Sequence, residues 1–169
     1  MAGSEEEGLG SGVGITGHQR IDPPELWLAI ESRMKALIAS FPTPLVGYSS
    51  LAPGADQLFA NVVLQTGGRL YVVLPFAGYE TRLSHEEDRA RLQRLLSSAA
   101  KIEILPRAGT DEQCYMRAGQ RVVDLAEIVI AVWDGKPAGG LGGTADVVRY
   151  AEGIGRQLIQ IDPYLLRSR

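Results

Sequence analysis

Short apolar runs alternate along the chain with stretches in which apolar residues recur at helical spacing. The runs predict strands at residues 13–16, 45–48, 70–74, 102–105, 128–133 and 158–161. The run at 128–133 is apolar throughout, which predicts a strand that lies centrally and is buried on both faces. Strands that alternate with helices through right-handed crossovers form a mainly parallel sheet. We therefore predict an α/β fold, a Rossmann-like three-layer α/β/α sandwich with about six strands.

The stretches between the runs predict helices, and three of the helix starts match capping patterns. Asp22 precedes two prolines and an acid, which is typical of an N-cap with prolines in the first turn. Ser84 and Glu87 match the capping box, in which two side chains satisfy the first backbone amides of a helix. Thr110 and Gln113 match the same pattern.

Length and composition favour a single domain. The chain has 169 residues, the size of one ordinary domain. Residues 1–11 are mostly Gly, Ser and Glu with little to bury, so we expect a disordered tail followed by one domain at 12–169. The net charge is −3 and no stretch concentrates Lys and Arg, which disfavours nucleic acid as a partner.

Cys114 is the single cysteine, and we interpret it as a small buried side chain. No segment approaches the roughly 18–20 consecutive apolar residues that a membrane helix needs. The acidic start at Glu5, Glu6 and Glu7 is unlike a signal peptide. We therefore expect a cytoplasmic protein without membrane association.

Three loops that follow predicted strands carry the candidate site residues. In open parallel sheets, ligands bind beyond the carboxyl ends of the strands, where the strand order reverses. The loop candidates are Gly17, His18, Gln19, Arg20, Ser49, Ser50, Gly54, Ala55, Asp56, Asp134, Gly135, Gly139, Gly140, Gly142, Gly143 and Thr144.

The loop before the last predicted helix has the composition of an anion site. Residues 139–144 place four glycines and a threonine at the helix start, so backbone N–H groups and the positive end of the helix dipole converge there. We expect a phosphate to bind at this point, and a merely tight connection is the alternative. Gly54-Ala55-Asp56 also opens a helix, where Asp56 is explained equally well as a first-turn acid.

His18 and three arginines are candidates with open roles. His18 is a candidate proton carrier, a ligand contact or a satisfied loop histidine. Arg20, Arg117 and Arg121 are candidates for pairing with a phosphate or a carboxylate. Arg117 and Arg121 stand four residues apart on one predicted helix, and a solvated helix face explains them equally well.

Two familiar nucleotide-binding motifs are set aside. Residues 12–17 match the dinucleotide fingerprint G-x-G-x-x-G by letter, but that fingerprint must follow a strand and only the predicted tail precedes it. No acid ends the second predicted strand to hold a ribose. A Walker A sequence is absent, which argues against ordinary P-loop hydrolysis of a nucleotide.

Several segments, taken in order, resemble the SLOG superfamily. They are Ile15-Thr16-Gly17-His18, Gly54-Ala55-Asp56, Val72-Val73-Leu74-Pro75-Phe76 with Tyr79-Glu80, Val132-Trp133-Asp134-Gly135 and Gly142-Gly143-Thr144-Ala145. The superfamily includes the LOG-type phosphoribohydrolases, the DNA-processing protein A domain and bacterial nucleotide-sensing modules. The resemblance, over residues 13–162, implies a nucleotide or phosphoribosyl ligand over the Gly-Gly-Thr loop and frequent homo-oligomerisation. It adds Pro75 to the candidate site, and we expect no required cofactor and no metal.

One departure from the family pattern bears on catalysis. LOG enzymes carry Pro-Gly-Gly-x-Gly-Thr-x-x-Glu and nucleoside 2-deoxyribosyltransferases carry Gly-Thr-Ala-x-Glu, with the Glu acting on the glycosidic bond. Val147 stands at that position, and Asp146, one residue earlier, is turned by about 100° on a helix. Ala118 stands where the family's arginine would fall, beside Arg117. Glycosidic cleavage needs a carboxylate, which Val147 does not supply.

We therefore expect a binding or sensor domain for a nucleotide-derived or phosphoribosyl small molecule, without turnover. The first alternative is an N-glycosidic-bond enzyme, either a nucleoside monophosphate phosphoribohydrolase or a deoxyribosyltransferase-like protein. In that enzyme Asp146 or Glu80 would replace the missing Glu, and His18 would assist. The second alternative is a structural domain with a vestigial pocket.

Overall fold

The computed structural model describes residues 11–137 and 141–168, which form one parallel sheet flanked by helices. The strands are β1 (Ser11–Gly17), β2 (Leu45–Ser49), β3 (Arg69–Leu74), β4 (Lys101–Ile104), β5 (Ile128–Val132) and β6 (Gln157–Ile161). The helices are α1 (Leu26–Ala39), α2 (Ala55–Gln65), α3 (Glu86–Ser97), α4 (Asp111–Leu125) and α5 (Thr144–Gly153). Two short 3-10 turns, Tyr79–Arg82 and Leu165–Ser168, complete the described elements.

The strand order is β4-β3-β2-β1-β5-β6, and neighbouring strands pair in parallel throughout. The chain moves outward from β1 to β4, then crosses back and places β5 on the free side of β1. The strand order therefore reverses between β1 and β5. The Rossmann-like α/β fold is confirmed, and β5 lies inside the sheet between β1 and β6.

The helices form a layer on each face of the sheet. On one face α1 contacts α2 and α2 contacts α3, and on the other face α4 contacts α5. Successive residues of β5 serve both layers, because Val129 belongs to the apolar cluster with α4 and α5 and Ile130 to the cluster with α1 and α2. Both are fully buried, which explains why the sequence of this strand does not alternate.

The glycines of β1 let α4 lie directly on the strand. A Cβ added at Gly14 would stand 3.0 Å from both Val122 Cγ1 and Ala126 Cβ. Gly12 and Gly14 lie within β1 rather than in a turn after it. The letter match to the dinucleotide fingerprint therefore reflects helix packing against the strand.

The capping patterns had mixed outcomes. At the start of α4, the Gln113 N–H donates to Thr110 Oγ1 at 3.2 Å and the Thr110 N–H donates to Gln113 Oε1 at 2.9 Å, so this capping box is confirmed. The box predicted for Ser84 and Glu87 is wrong. α3 begins one residue later, with His85 at the N-cap and no side-chain cap.

The N-cap predicted at Asp22 is also wrong. α1 begins at Leu26, with Glu25 in the N-cap position and no side-chain cap. The carbonyls of Pro23 and Pro24 accept the first helical amides in a turn that separates Asp22 from the helix. The two prolines thus precede the helix instead of forming its first turn.

Ser11, which the sequence assigned to the tail, is the first residue of β1, and residues 1–10 lie outside the described residues. Cys114 is fully buried in the core, as expected. No described helix is long and apolar enough to span a membrane.

Gly17 ends β1 at a point where no side chain fits. A Cβ there would lie 2.5 Å from Ala55 Cβ and 2.8 Å from Val132 Cβ, distances that force a neighbouring element to shift. We expect Gly17→Ala to lower the free energy of unfolding by about 1–3 kcal/mol, measured by urea denaturation. Gly153→Ala is the matched control, since a Cβ there meets nothing within 4 Å, and it should leave stability unchanged or raise it. Equal midpoints for the two variants would contradict this packing.

Candidate functional site

A cleft of about 530 Å³ opens beyond the carboxyl ends of β1 and β5, where the strand order reverses. Its floor includes Thr16 and Gly17 at the end of β1. Its walls come from the loops that follow β1, β2, β3 and β5 and from the facing sides of α4 and α5. The predicted placement of a pocket at this sheet edge agrees with the structure.

Nine of the predicted site residues line this cleft. They are Gly17, His18, Gln19, Ser50, Asp56, Pro75, Gly142, Gly143 and Thr144. Asp134 and Gly135 lie next to it in the loop after β5, although they are not lining residues. Gly139 and Gly140 lie outside the described residues.

Three predicted residues make structural contacts within the fold and do not line the cleft. Ser49 is fully buried, and its hydroxyl donates to the Asp56 carbonyl at 3.2 Å. Ala55 is fully buried against Gly17. Gly54 has a φ of +82°, and a Cβ there would lie 2.5 Å from the Gln19 carbonyl oxygen, so the position requires glycine for close loop contact.

The three predicted arginines also point away from the cleft. Arg20 Nη2 donates to Asp88 Oδ2 at 2.9 Å, at the edge of a separate groove between α1, α2 and α3. Arg117 donates to the Ala108 carbonyl before α4. Arg121 Nε donates to Glu103 Oε1 at 3.0 Å on β4. The sequence pattern placed these arginines on a helix or loop, but it did not show which carboxylate or carbonyl would accept their hydrogen bonds.

The N-terminus of α5 presents backbone amides to the cleft. Among the described residues, no acceptor pairs with the N–H of Gly143, Thr144 or Ala145, all of which line it. The Gly142 N–H instead donates to Asp146 Oδ2 at 3.1 Å, which fixes the loop onto the helix. The positive end of the helix dipole and three amides thus converge on the cleft, as an anion site requires.

The N-terminus of α2 differs in this respect. Its first amide, that of Ala55, already donates to the His18 carbonyl at 3.1 Å, and the Gln57 N–H donates to the Ala52 carbonyl at 3.2 Å. These bonds tie the loops after β1 and β2 together. Of the two glycine-containing helix starts that the sequence singled out, α5 is therefore the one that presents its first amides to a ligand.

His18 connects the two strands at the cleft. Its N–H donates to the Val132 carbonyl at 3.0 Å, and its Nε2 accepts from the Asp134 N–H at 3.3 Å. Partial burial raises the pKa of Asp134, but a hydrogen bond from the Lys136 N–H and the nearby His18 and Lys136 charges outweigh it and leave the pKa below its usual value. Asp134 Oδ1 lies 3.4 Å from the same His18 Nε2, so the backbone and the side chain of Asp134 both lie beside the imidazole.

Asp56 is a buried carboxyl at the cleft, 7% exposed, and it makes no ion pair with any described residue. Its Oδ2 accepts from the Ala52 N–H at 3.4 Å. Burial raises the pKa of Asp56 to about 7, against smaller lowering effects of the Ala52 and Ser50 backbone amides. Ser50 Oγ is also buried and has no hydrogen-bond partner among the described residues.

An aromatic and basic wall completes the cleft, and the sequence reasoning did not identify it. The members that line the cleft are Tyr79, Arg82, Tyr115, Trp133 and Lys136. The Tyr79 and Tyr115 rings lie 6.0 Å apart in an edge-to-face arrangement. Tyr79 and Trp133 belong to the segments that resemble SLOG proteins, but the short 3-10 turn that carries Tyr79 and Arg82 has no periodicity to detect.

Neither carboxylate that the enzyme alternative named lines the cleft. Asp146 is occupied by the Gly142 amide, and its Oδ1 lies 3.5 Å from Arg149 Nη1. Glu80 lies in the 3-10 turn, outside the lining residues. Val147 does line the cleft and is buried. Within the described residues, no cluster of His, Cys, Asp and Glu could hold a metal ion.

Comparison with known proteins identifies the fold. No protein-family model and no curated protein sequence matches the chain. Its structure is similar to DNA processing protein A from Streptococcus pneumoniae, with a TM-score of 0.66 and 19% identity over 90% of this chain and 50% of that one. DNA processing protein A from Helicobacter pylori gives a TM-score of 0.62 and 16% identity over 90% of this chain and 65% of that one.

A molybdenum cofactor binding protein from Rippkaea orientalis gives a TM-score of 0.57 and 16% identity, over 95% of this chain and 82% of that protein. The chain therefore shares the fold of these proteins, the Rossmann-like fold that the resemblance implied. It spans half of the Streptococcus protein and 65% of the Helicobacter protein.

The expectation that nucleic acid is an unlikely partner is wrong. The Helicobacter protein, which shares this fold, binds single-stranded DNA. Net charge was a poor guide because a cleft with locally placed cations and aromatic rings can contact a strand on a chain that is acidic overall.

The buried Asp56 carboxyl should make stability depend on pH. Between its ordinary pKa of 3.8 and its folded pKa of about 7, the folded protein holds a proton that the unfolded chain has released. The contribution of Asp56 to the free energy of unfolding therefore falls as pH rises through this window, by at most about 1.4 kcal/mol per pH unit. We expect Asp56→Asn to gain stability relative to wild type between about pH 6 and about pH 8, measured by urea denaturation.

Glu152→Gln removes an exposed carboxylate at the end of α5 and is the control, expected to follow the wild-type pH dependence. A constant difference in stability between Asp56→Asn and wild type at both pH values would show that Asp56 titrates normally.

Proposed function

We propose that this protein is a binding or sensor module for a small molecule that carries a phosphate, such as a nucleotide or a phosphoribosyl compound. The observation that supports this function best is the set of amides at Gly143, Thr144 and Ala145, which open into the cleft where the strand order reverses. Backbone amides at a helix N-terminus bind phosphate without requiring a specialised side chain.

The charges and rings around the cleft suit the same class of ligand. Lys136 lines the cleft and makes no ion pair with any described residue, so its ammonium group is available to a phosphate. Arg82 lines it from the opposite loop, held at 2.7 Å from Asp111. Trp133 and Tyr115 add aromatic surface, on which a nucleobase can stack. A phosphate and a base would thus each have suitable neighbouring side chains.

The lining residues support binding without turnover. Val147 occupies the position of the family's catalytic Glu and has no group that stabilises an oxocarbenium-like centre. Asp146 is engaged with the Gly142 amide at 3.1 Å. We therefore expect nucleoside monophosphates to be recovered intact after incubation with the protein, with no free base detectable by chromatography.

The anion site can be tested by removing one amide hydrogen. Proline is well tolerated in the first turn of a helix, and Gly143 has the extended ψ of 171° that a residue before proline prefers. Thr144→Pro removes the Thr144 N–H, and we expect it to weaken nucleoside monophosphate binding about tenfold in calorimetric titration, since a hydrogen bond to a charged group contributes about 1.5–3 kcal/mol. Thr144→Ala keeps that N–H and is the control for the lost hydroxyl.

Equal nucleotide affinity of Thr144→Pro and Thr144→Ala would show that the Thr144 N–H does not bind the phosphate. A protein that shows no thermal shift with any nucleotide at millimolar concentration would instead match the alternative of a structural domain with a vestigial pocket.

Single-stranded nucleic acid is a second candidate ligand, favoured by the DNA processing proteins of similar fold and by the aromatic and basic wall of the cleft. Successive bases stack on aromatic rings while cations contact the backbone.

Under this function, a fluorescein-labelled thymidine oligomer should bind in polarisation assays, with an affinity that falls as salt rises. Arg82→Gln should weaken this binding, whereas Arg33→Gln, at an exposed position on α1, should not. An oligomer that unlabelled nucleotides fail to displace would exclude the cleft as its site.

A further inference from the structure

Asp56 has no partner in the cleft that compensates its charge. It is 7% exposed, and no Lys, Arg or His of the described residues forms an ion pair with it. A buried carboxylate is costly unless hydrogen-bond donors surround it. Asp56 Oδ2 accepts from the Ala52 N–H at the long distance of 3.4 Å, and the Ser50 backbone amide also lowers the pKa of the carboxyl. No described side chain donates a hydrogen bond to either oxygen.

Ser50 adds an unpaired hydroxyl at the same place. Its Oγ is buried without a partner among the described residues, and it lines the cleft together with Asp56. Both belong to the segment that joins β2 to α2. Unpaired buried polar atoms are uncommon in folded proteins, and one that lies beside a buried carboxyl without an ion pair is typical of a position that a ligand fills.

The neighbouring wall is suited to a flat ring. Tyr79 and Tyr115 line the cleft with their rings 6.0 Å apart and at 70° to each other. The Arg82 guanidinium contributes a planar cation to the same wall. A planar heterocycle that contacts this wall can direct its edge toward Asp56 while its phosphate binds the α5 amides.

We infer that the Asp56 carboxylate accepts hydrogen bonds from the edge of a 2-amino-4-oxopyrimidine ring, the edge that guanine nucleotides present. This inference rests on the proposed function, since it names the base of the ligand that the α5 amides hold. The ring offers two adjacent N–H donors, which two oxygens of one carboxylate accept together. Ser50 Oγ lies in the same segment and accepts or donates one further hydrogen bond.

A donor pair suits this position better than the adenine edge. Adenine presents one donor and one acceptor, so an ionised Asp56 would face a lone pair and keep its charge poorly compensated. A site built to hydrogen-bond a group rejects analogues that lack it more strongly than an apolar pocket does. We therefore expect GMP to bind at least about tenfold more tightly than AMP, with IMP, which lacks the 2-amino group, between them.

The discrimination should depend on pH in a defined direction. The titratable and charged groups that line the cleft around Asp56 are Tyr79, Arg82, Tyr115, His18 and Lys136. Protonated Asp56 offers one donor and one acceptor, which matches adenine and no longer matches the two adjacent donors of guanine. The ratio of GMP affinity to AMP affinity should therefore rise with pH through about 7, where the pKa of Asp56 lies. Titration of the two ligands' phosphates cancels in this ratio.

The experiment is calorimetric titration of the full chain with GMP, IMP and AMP, at about pH 6 and about pH 8. Asp56→Asn is the decisive variant, because an amide presents one donor and one acceptor and pairs well with adenine. We expect this variant to lose the preference for GMP while keeping or improving AMP binding. Retained AMP binding shows at the same time that the variant is folded. Glu152→Gln, which removes an exposed carboxylate on α5, is the control.

The outcomes separate this inference from the proposed function. Equal affinity for GMP and AMP, or an unchanged preference in Asp56→Asn, would overturn the assignment of Asp56 and leave the anion site standing. Binding of none of the three nucleotides would overturn the proposed function itself. Pterins carry the same ring edge, so titration with neopterin forms a further arm. Tighter binding of neopterin than of GMP would support the ring edge and identify a pterin as its source.

Discussion

Parallel backbone pairing joins β1 to β5 from Val13 with Ile128 to Gly17 with Val132. The pairing extends one step past both strands, because the His18 N–H donates to the Val132 carbonyl at 3.0 Å. The chain leaves β1 toward the helix layer of α1 and leaves β5 toward the opposite layer of α5, so the two loops diverge and a crevice opens between them. The position of the cleft is thus a consequence of strand order, and the absence of a side chain at Gly17 keeps the two strand ends close enough to form it.

The segment from β2 to α2 shows how the fold divides its polar groups between structure and ligand. Ser49 points inward, where its hydroxyl accepts the Leu51 N–H at 3.0 Å and donates to a carbonyl. Ser50, the next residue, keeps its buried hydroxyl unpaired. Leu51 then adopts a left-handed φ of 56°, a conformation that costs free energy for a residue with a side chain. Strain and an unsatisfied hydroxyl in one short loop are typical of functional sites, where the surrounding structure maintains both.

Patterns local in sequence predicted local structure well. The apolar runs located the six strands to within about two residues, and the capping box at Thr110 was correct in its hydrogen bonds. Side-chain direction was harder to predict, because Arg117 turns back to the loop before α4 and Arg121 reaches across to β4. The aromatic wall was missed for the same reason: Tyr115 reaches the cleft only because α4 packs against the sheet in one particular rotation.

The carboxyl groups near the cleft are distributed unevenly between its two sides. Val147, where LOG-type enzymes carry Glu, is buried between α5 and α4, and a Cβ at Gly119 of α4 would lie 2.7 Å from its Cγ2. The position therefore serves the contact between α4 and α5. Among the described lining residues, the carboxyl group comes from Asp56 of α2, on the wall opposite the α5 amides. Under the proposed function, a carboxylate there would contact one end of a ligand whose anionic group the α5 amides hold at the other end, so Asp56 would select the ligand.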